Sequence, residues 1–418
     1  MREMKGSGIS WVGEIPKEWS VWRNKYIFKI TKDIVLPSKN YQLLSLTTTG
    51  IKEKDENDNG GKVPENYDGY QIVKENDLVM CLFDLDCSAV FSGLSLYNGM
   101  ISPAYKVLKV KKRIANEQYY RYWFNYVGSK RFYKQYSKSL RFTLNADEFN
   151  RLFSLLPPLD EQQRIAEFLD RECGKIDGLK ADIQAQIDTL EQYKRSVITE
   201  AVTHGLNPSA PMKDSGINYI SEHPIHWSLR RLKYILNERN ERSVTGTEEL
   251  LSVSLYKGVI PSTEMTNRTM QADSLIGYKR VHKGDLVFNK LNPGMARFGC
   301  SDYDGITSPD FAVYIVNENY CNAKFLQYLL KTDFYVEKIK SVSMGVGDGF
   351  TRLYSNQLYE FFVALPPRDE VSIIINYLDN KCAEIEQIIA DKKTQIETLD
   401  GYKKSLIYEY VTGKKEVV

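Results

Sequence analysis

The side chains best suited to chemistry in this sequence are basic and amide groups interleaved with aromatic rings. Residues 129–141 read SKRFYKQYSKSLR and contain no acidic side chain; the basic residues are Lys130, Arg131, Lys134, Lys138 and Arg141. Such a segment can neutralise phosphates while its aromatic rings pack or stack. The alternative is a solvated helix face with its aromatic stripe in the core. We predict that the segment contacts the backbone of a nucleic acid.

A second group of candidate residues follows the sequence GDLV in the C-terminal half. Gly and Pro mark the segment as a loop, and its candidate residues are Asn289, Lys290, Asn292 and Arg297. Asn can pair bidentately with adenine, and Arg with guanine, in the major groove. An ordinary polar turn is the alternative.

Weaker candidates lie at two other places in the sequence. One is Arg352, beside the glycine-rich run GVGDG at 345–349. That run has no βαβ unit with a downstream acidic residue around it, so we interpret it as a loop and not as a dinucleotide site. The others belong to a polar insertion in the N-terminal half and are Lys52, Lys54, Lys62 and Tyr67.

The sequence lacks the motifs of enzymes that act on nucleic acids. A DNA methyltransferase needs a glycine-rich cofactor loop and an Asn/Asp-Pro-Pro-aromatic site, whereas this chain has only LPPL and LPPR. The segment at 60–63, GGKV, lacks the spacing and the hydroxyl of a P-loop. Asp310 has no [DE]-x-K partner of the kind that holds nuclease metals. An enzyme is therefore disfavoured.

Composition indicates a folded protein with more than one domain. The 418 residues are 42% hydrophobic and 26% charged, and the formal net charge is only +2. A DNA-binding surface must therefore be local. No apolar run is long enough to span a membrane and the start has no signal-peptide pattern, so we expect a cytoplasmic protein. The six cysteines include no C-x-x-C pair and the four histidines no zinc-binding spacing, so we expect no metal site.

The chain repeats itself at long range, which bears directly on its architecture. SGISWVGEIPKEWSVWRNKYI begins at Ser7, and SGINYISEHPIHWSLRRLKYI begins at Ser215. NDLV and YNGMISPAY of the first half recur in the same order as GDLV and YDGITSPDF. The repeated Trp19 and Trp227 are expected to fix the entry of the chain to each core, with a partner contact as the alternative.

The strongest repeat begins with LPPLDE at Leu156 and LPPRDE at Leu365 and continues into one long helix in each half. Proline followed by Asp-Glu favours a helix start, and apolar residues then recur with the spacing of a coiled coil. The predicted helix–helix interface consists of Leu169, Ile176, Ile183, Leu190, Val197, Ile385, Ile389, Ile396, Leu399 and Leu406. The alternative is that each helix packs on its own domain.

An α+β architecture follows: two pseudo-repeated mixed α/β domains separated by two long helices that form an antiparallel coiled coil. The predicted boundaries are 1–158 and 206–367 for the domains, and 159–205 and 368–418 for the spacer helices. Matching the helix midpoints places Cys173 opposite residue 400. The pair Cys173 and Cys382 would then be too far apart for a disulfide.

The combination of GEIPKEW and SEHPIHW openings, NDLV and GDLV, and LPPLDEQQRIAEFLD and LPPRDEVSIIINYLD resembles type I restriction-modification specificity subunits. The likeness covers the whole chain, and Val371-Ser372 departs from the Gln162-Gln163 of the first copy. It implies two target-recognition domains, each reading half of an asymmetric bipartite site in double-stranded DNA.

The resemblance also implies partners: two methyltransferase subunits that use S-adenosylmethionine, and restriction subunits that use ATP. Neither cofactor is expected to bind this chain, which would be non-catalytic. A coiled-coil scaffold whose globular domains bind proteins is the first alternative, and a stand-alone methyltransferase is the second. The polar Gly, Asn and Arg loops suit groove reading better than an apolar protein interface.

Overall fold

A computed structural model describes residues 2–35, 41–54, 67–254, 258–265, 274–345, 347 and 349–417. The chain forms two compact units. The first unit consists of residues 1–183 together with 393–418, and the second consists of residues 184–392. Each unit therefore contains the start of one long helix and the end of the other.

The first unit contains twelve described strands and three short helices ahead of the first long helix. The strands are β1 (Met4–Gly6), β2 (Glu14–Pro16), β3 (Ser20–Arg23), β4 (Phe28–Thr31), β5 (Leu44–Thr47), β6 (Gly50–Glu53), β7 (Gln71–Val73), β8 (Leu78–Met80), β9 (Ser92–Leu94), β10 (Gly99–Ile101), β11 (Lys106–Val110) and β12 (Phe153–Leu156). The helices are α1 (Asn24–Ile27), α2 (Glu117–Ser129), α3 (Ala146–Arg151) and the 45-residue α4 (Leu159–Thr203).

The second unit repeats this series. Its described strands are β13 (Met212–Ile217), β14 (Ile220–Pro224), β15 (Ser228–Arg231), β16 (Leu236–Glu238), β17 (Leu251–Ser254), β18 (Gly258–Pro261), β19 (Lys279–Val281), β20 (Leu286–Asn289), β21 (Phe298–Cys300), β22 (Gly305–Thr307), β23 (Phe311–Val316), β24 (Met344–Gly345), β25 (Thr351–Arg352) and β26 (Phe362–Leu365). Its helices are α5 (Ala323–Leu330), α6 (Asp333–Val342), α7 (Ser355–Tyr359) and the 44-residue α8 (Arg368–Val411).

Both units are built around a four-stranded antiparallel sheet with the same strand order. That order is β4-β11-β8-β9 in the first unit and β16-β23-β20-β21 in the second. The smaller pairs also correspond: β1–β2 with β13–β14, β3–β12 with β15–β26, β5–β6 with β17–β18, and β7–β10 with β19–β22. The predicted fold class of two pseudo-repeated mixed domains with two long helices is thereby confirmed.

The repeated sequences NDLV and GDLV form the turn that leads into a central strand of each sheet. Asp77 Oδ2 accepts a hydrogen bond of 2.9 Å from the amide of Lys74, and Asp285 Oδ2 accepts one of 2.8 Å from the amide of His282. The apolar residues that follow, from Leu78 to Met80 and from Leu286 to Phe288, are fully buried. The closed turn ahead of each buried strand therefore fixes where that central strand begins.

Each unit ties its Pro-x-x-Trp motif to the start of one long helix. Trp19 is fully buried and donates a hydrogen bond of 2.9 Å to Glu161, and Trp227 donates one of 3.1 Å to Glu370. Glu161 and Glu370 are the glutamates that end LPPLDE and LPPRDE. The predicted structural role of the two tryptophans is therefore confirmed.

The end of the other long helix closes against the same tryptophan. Gly413, just after α8, has φ +69°, and a Cβ there would lie 2.4 Å from Cδ of Pro16 and 3.0 Å from Trp19. Gly205, just after α4, has φ +80°. A Cβ added there would lie 3.3 Å from the ring of Trp227. Only glycine combines the left-handed backbone with such a close approach.

The two long helices pair in an antiparallel manner within each unit. In the first unit Lys180 pairs with Asp400, and Lys403 Nζ lies 2.7 Å from Asp177 Oδ2. In the second unit Lys194 pairs with Glu386. The predicted antiparallel arrangement is therefore confirmed.

The register of this pairing differs from the prediction. Asp400 lies opposite Lys180, seven residues along α4 from the predicted Cys173. Matching the helix midpoints gives the wrong register because the first turns of each helix pack into a domain core. Ile165 and Ile374 are examples of such core residues, which are not available to the partner helix.

The predicted helix–helix residues are all at least half-buried. Those that are buried are Leu169, Ile176, Ile385, Ile389 and Leu406, and those that are half-buried are Ile183, Leu190, Val197, Ile396 and Leu399. Leu179, which follows the same apolar pattern, is 53% exposed, whereas Ile187 is buried. All six cysteines are free thiols. Within the described ranges, none of the helices has the length and apolar character needed to cross a membrane.

Candidate nucleic-acid interface

In the first unit, the basic segment begins where α2 ends. Lys130 caps that helix, Arg131 has a left-handed backbone, and a short 3-10 helix covers Phe132–Tyr136. Tyr133 is buried, and the ring of Phe132 stacks on Trp11 with centroids 4.3 Å apart. These aromatic rings are thus part of the core, and it is the basic groups that face solvent.

The basic side chains of the segment carry uncompensated charge. Lys130, Arg131, Lys134, Lys138 and Arg141 are all exposed. Among the residues that the structure describes, none of the five forms an ion pair. Lys134 Nζ lies 4.5 Å from the ring centroid of Phe142, which leaves its positive charge in place. Free cations on one loop segment are suited to binding phosphate.

The segment ends in a loop that is held against the chain leaving β8. The amide of Leu144 donates a 2.7 Å hydrogen bond to the carbonyl of Leu82, and the amide of Asp84 donates one of 3.1 Å to that of Arg141. Two chain segments far apart in sequence therefore form one surface in the first unit.

The second unit forms the same junction with different residues. The amide of Leu353 donates a 3.1 Å hydrogen bond to the carbonyl of Lys290, which follows β20 as Leu82 follows β8. The amide of Asn292 donates one of 2.8 Å to Thr351. This pairing brings Arg352 next to the predicted base-reading loop. The candidates chosen separately in the two halves thus lie at corresponding places.

The amide side chains of the second loop already serve the loop itself. Asn289 Oδ1 accepts a 2.9 Å hydrogen bond from the amide of Leu291, and Asn292 Oδ1 accepts one of 3.1 Å from that of Thr351. Arg297 is exposed and makes no ion pair with any residue in the described ranges. Of the predicted base readers, Arg297 is therefore the one whose side chain is free to contact a ligand.

Lys290 lies near two other cations, each of which is paired with a carboxylate. Burial lowers the pKa of its ammonium group, and the nearby Lys279 and Arg352 lower it further, while Glu238 opposes them. Lys279 Nζ lies 2.8 Å from Glu238 Oε1, and Arg352 lies 3.7 Å from Asp310. An anion placed beside Lys290 would stabilise its charged form.

Backbone strain is concentrated in the same loops. Six described residues other than glycine have a positive φ, and five of them belong to these segments: Asp84 (49°), Arg131 (53°), Phe142 (45°), Asn292 (48°) and Ala296 (52°). Such conformations are unfavourable for residues with a side chain and tend to occur at functional sites. The positive φ angles do not depend on the charge pattern, yet they occur in the same loops of both units.

The weaker candidates of the first unit lie elsewhere. Tyr67 is half-buried and packs edge-on against Tyr70 at 5.2 Å, beside a small cluster that includes Met100. Lys52 and Lys54 lie on and just after β6. Lys62 lies outside the described residues. No described contact brings Tyr67 to the basic segment.

Sequence reasoning missed the partners that complete these surfaces. Leu82 to Leu85 carry no basic residue that would single them out, and the pairing of Lys290 with Leu353 joins residues 63 positions apart. In the sequence, the one feature that the segments at Leu82 and Lys290 share is that each follows the repeated motif, NDLV in the first half and GDLV in the second.

The fold is that of the type I specificity subunits. A solved structure from work on complex assembly and conformational transition of the type I R-M system matches with a TM-score of 0.69 at 14% identity, covering 96% of this chain and 99% of its own. The HsdS subunit from Thermoanaerobacter tengcongensis matches with a TM-score of 0.50 at 12% identity, covering 96% of this chain and 98% of its own.

A relative by sequence agrees with this assignment. The chain is 23% identical over 440 residues to the protein named as the type I restriction enzyme MjaX specificity subunit of Methanocaldococcus jannaschii, covering 97% of this chain and 96% of the relative. No protein-family model matches the chain. The predicted resemblance to type I restriction-modification specificity subunits is confirmed.

Proposed function

We propose that this chain is the non-catalytic subunit that recognises DNA sequence for a type I restriction-modification complex. The observation that carries the proposal is the recurrence of one loop junction in both units, each time with free cations and strained backbone. Full-length similarity to specificity subunits supports the same role. Residues 1–158 and 206–367 would be the two target-recognition domains, and 159–205 and 368–418 the spacer helices.

The two junctions suit different half-sites. The first presents Lys130, Arg131, Lys134, Lys138 and Arg141, which favour phosphate contacts. The second presents Arg297, Lys290 and Arg352, of which Arg297 can pair with guanine in the major groove. Because the loops differ in sequence while the scaffolds correspond, the recognised site is bipartite and asymmetric.

Catalysis belongs to partners in this proposal. Two methyltransferase subunits would modify adenine, and restriction subunits would cleave. The purified chain is therefore expected to turn over neither S-adenosylmethionine nor ATP, a result that a radiochemical methyl-transfer assay and a phosphate-release assay can check. Turnover that follows this chain through successive purification steps contradicts the proposal.

The decisive experiment is selection and footprinting on random-sequence duplex DNA with the chain and its methyltransferase subunit. We expect two short blocks of fixed sequence separated by a run of unspecified bases of constant length. Enrichment of a single block, or none, would overturn the proposal.

A further inference from the structure

A patch of exposed aromatic and basic side chains lies on the strand pair that precedes α4. In the first unit, Arg23 of β3 faces Phe153 of β12 in the strand register, and its guanidinium carbon lies 5.6 Å from the centroid of that ring. Lys25 Nζ lies 4.8 Å from the ring centroid of Tyr26. Tyr26 is 51% exposed and Phe153 is 44% exposed. Arg23, Tyr26 and Phe153, together with Val21 and Trp22, line an open cavity of about 440 Å³.

The second unit carries the same patch. Arg231 of β15 faces Phe362 of β26, with its guanidinium carbon 5.0 Å from the ring centroid. Lys233 Nζ lies 5.1 Å from the ring centroid of Tyr234, which is 60% exposed. We call each set of Arg, Lys, Tyr and Phe the retained patch of its unit.

The retained patches stand out because several surface positions next to them differ between the two halves. Residues identical in both repeats include core residues such as Trp19 and Ile27, whose retention follows from packing. Packing does not explain Arg23, Lys25 and Tyr26 or their counterparts in the second unit, which reach solvent. The fourth position differs, because Phe153 is exposed whereas Phe362 is half-buried against the second core. Neighbouring exposed positions have changed, as in Glu18 against His226 and Lys29 against Asn237. A surface function common to both units accounts for the retention.

That function differs from the recognition of a DNA sequence. The loops that read two different half-sites must differ, as those after β8 and β20 do. A surface that contacts the same partner twice must stay alike. Exposed tyrosine and arginine are the side chains favoured in protein–protein contacts, and the cation above each ring holds it in a fixed orientation.

We propose that each retained patch docks one copy of the methyltransferase subunit through an acidic surface of that subunit. The inference rests on the proposed function and adds to it the place of contact. The positive charge of Arg23 and Lys25, neither of which forms an ion pair with a described residue, selects an acidic partner. In the second unit, Arg231 is already paired with Glu360 at 3.0 Å. The position that corresponds to Trp22 is occupied there by Arg230. The first patch therefore binds its copy more tightly than the second.

The test counts bound methyltransferase subunits by native mass spectrometry. Wild-type chain is expected to bind two copies. Arg23→Glu combined with Tyr26→Ala should leave one copy, as should Arg231→Glu combined with Tyr234→Ala, and all four changes together should leave none. We expect each disrupted site to weaken at least tenfold. The copy retained on the intact patch shows that a variant chain is folded.

A matched control uses exposed residues of the first unit outside the patch. Lys29→Glu combined with Tyr41→Ala, where Tyr41 is 41% exposed, should leave both copies bound. Two copies on the fourfold variant overturn the docking inference alone, whereas no copy on the wild type overturns the proposed function with it. Two bound copies together with a uniform loss of DNA affinity and a flatter salt slope would make the patch a phosphate contact, which also overturns the inference.

Discussion

Arg297 and Lys138 are both exposed cations on candidate loops, yet their positions predict different roles. Arg297 lies in the loop between β20 and β21, where the neighbouring Asn289 and Asn292 use their amide oxygens to hold the backbone. Lys138 lies in a run of free cations that includes Lys134 and Arg141. A single cation among amides suits base contact, whereas a run of cations suits phosphates.

Arg297→Ala is expected to relax the preference for one base pair of one half-site by about 1–3 kcal/mol, because a bidentate contact to guanine would be lost. Binding to substituted sites, measured by competition at constant salt, checks this. Lys138→Ala is the contrasting control: it should weaken binding to all sequences alike and reduce the slope of log affinity against log salt by about 1. Sequence-independent weakening by Arg297→Ala would assign that residue to the phosphate backbone.

Lys290 predicts a pH dependence of DNA binding. Burial and two neighbouring cations lower the pKa of its ammonium group, so in the free chain the charge is lost at a lower pH than for an ordinary lysine. A phosphate beside it favours the charged form, so binding takes up a proton and affinity falls as pH rises through the lowered pKa. Lys290→Arg keeps its charge and should remove this part of the pH dependence, as measured by fluorescence anisotropy. Identical pH profiles for both chains would exclude contact between Lys290 and DNA.

At the scale of elements, the sequence predicted periodic features well and the register of long-range pairing poorly. The helix starts at LPP, the antiparallel pairing and the repeated domains followed from local patterns. The register between the two long helices did not follow from local patterns, because it depends on how deeply residues such as Ile165 and Ile374 insert into each core. The exposure of Leu179 is a further consequence, because its place in the heptad does not reveal which face the partner helix covers.

The same reasoning explains why the candidate site was predicted only in part. The basic run at 129–141 and the loop after GDLV are local features of the sequence. Their completion by Leu82 and Leu353 depends on backbone hydrogen bonds between distant segments. The left-handed conformation of Phe142 and Ala296 is equally hidden, since neither residue type favours it.

The junction between the end of α8 and the Pro-x-x-Trp motif predicts a specific loss of stability. Gly413→Ala would impose a side chain on a left-handed backbone, costing about 1–2 kcal/mol, and press its Cβ against Pro16 and Trp19, costing about 1–3 kcal/mol more. Four of the five tryptophans belong to the first unit, so fluorescence during urea unfolding reports chiefly on it.

Gly8→Ala is the matched control for this change. Gly8 lies in the same unit with φ +74°, and a Cβ there would meet nothing within 4 Å. It should therefore lose only the smaller, conformational part of the free energy of unfolding. Equal losses for both variants would show that the contact of Gly413 with Trp19 does not contribute to stability.

At the scale of the whole molecule, each unit has its own core. The core of the first unit joins residues of α2 and the first sheet to Leu406, Ile407 and Val411 of α8. The core of the second joins its sheet to Ala201 and Val202 of α4. The first domain is thus completed by residues that lie beyond the second domain in the sequence, whereas the second is completed by the end of the helix that directly precedes it. Any exchange of domains must preserve those contacts.

Exchanging residues 1–155 for the equivalent part of a relative should change one half-site and leave the other intact. The donor must keep proline and tryptophan at the positions of Pro16 and Trp19, because the retained Gly413 packs against both. It must also keep a hydroxyl at Tyr119, which donates a 2.9 Å hydrogen bond to the carbonyl of Val411. Selection from random-sequence DNA with the methyltransferase subunit gives the new site, and exchange of the second domain should change the other half. If one exchange altered both half-sites, the two units could not be independent readers, because neither the second core nor its loop after β20 would have changed.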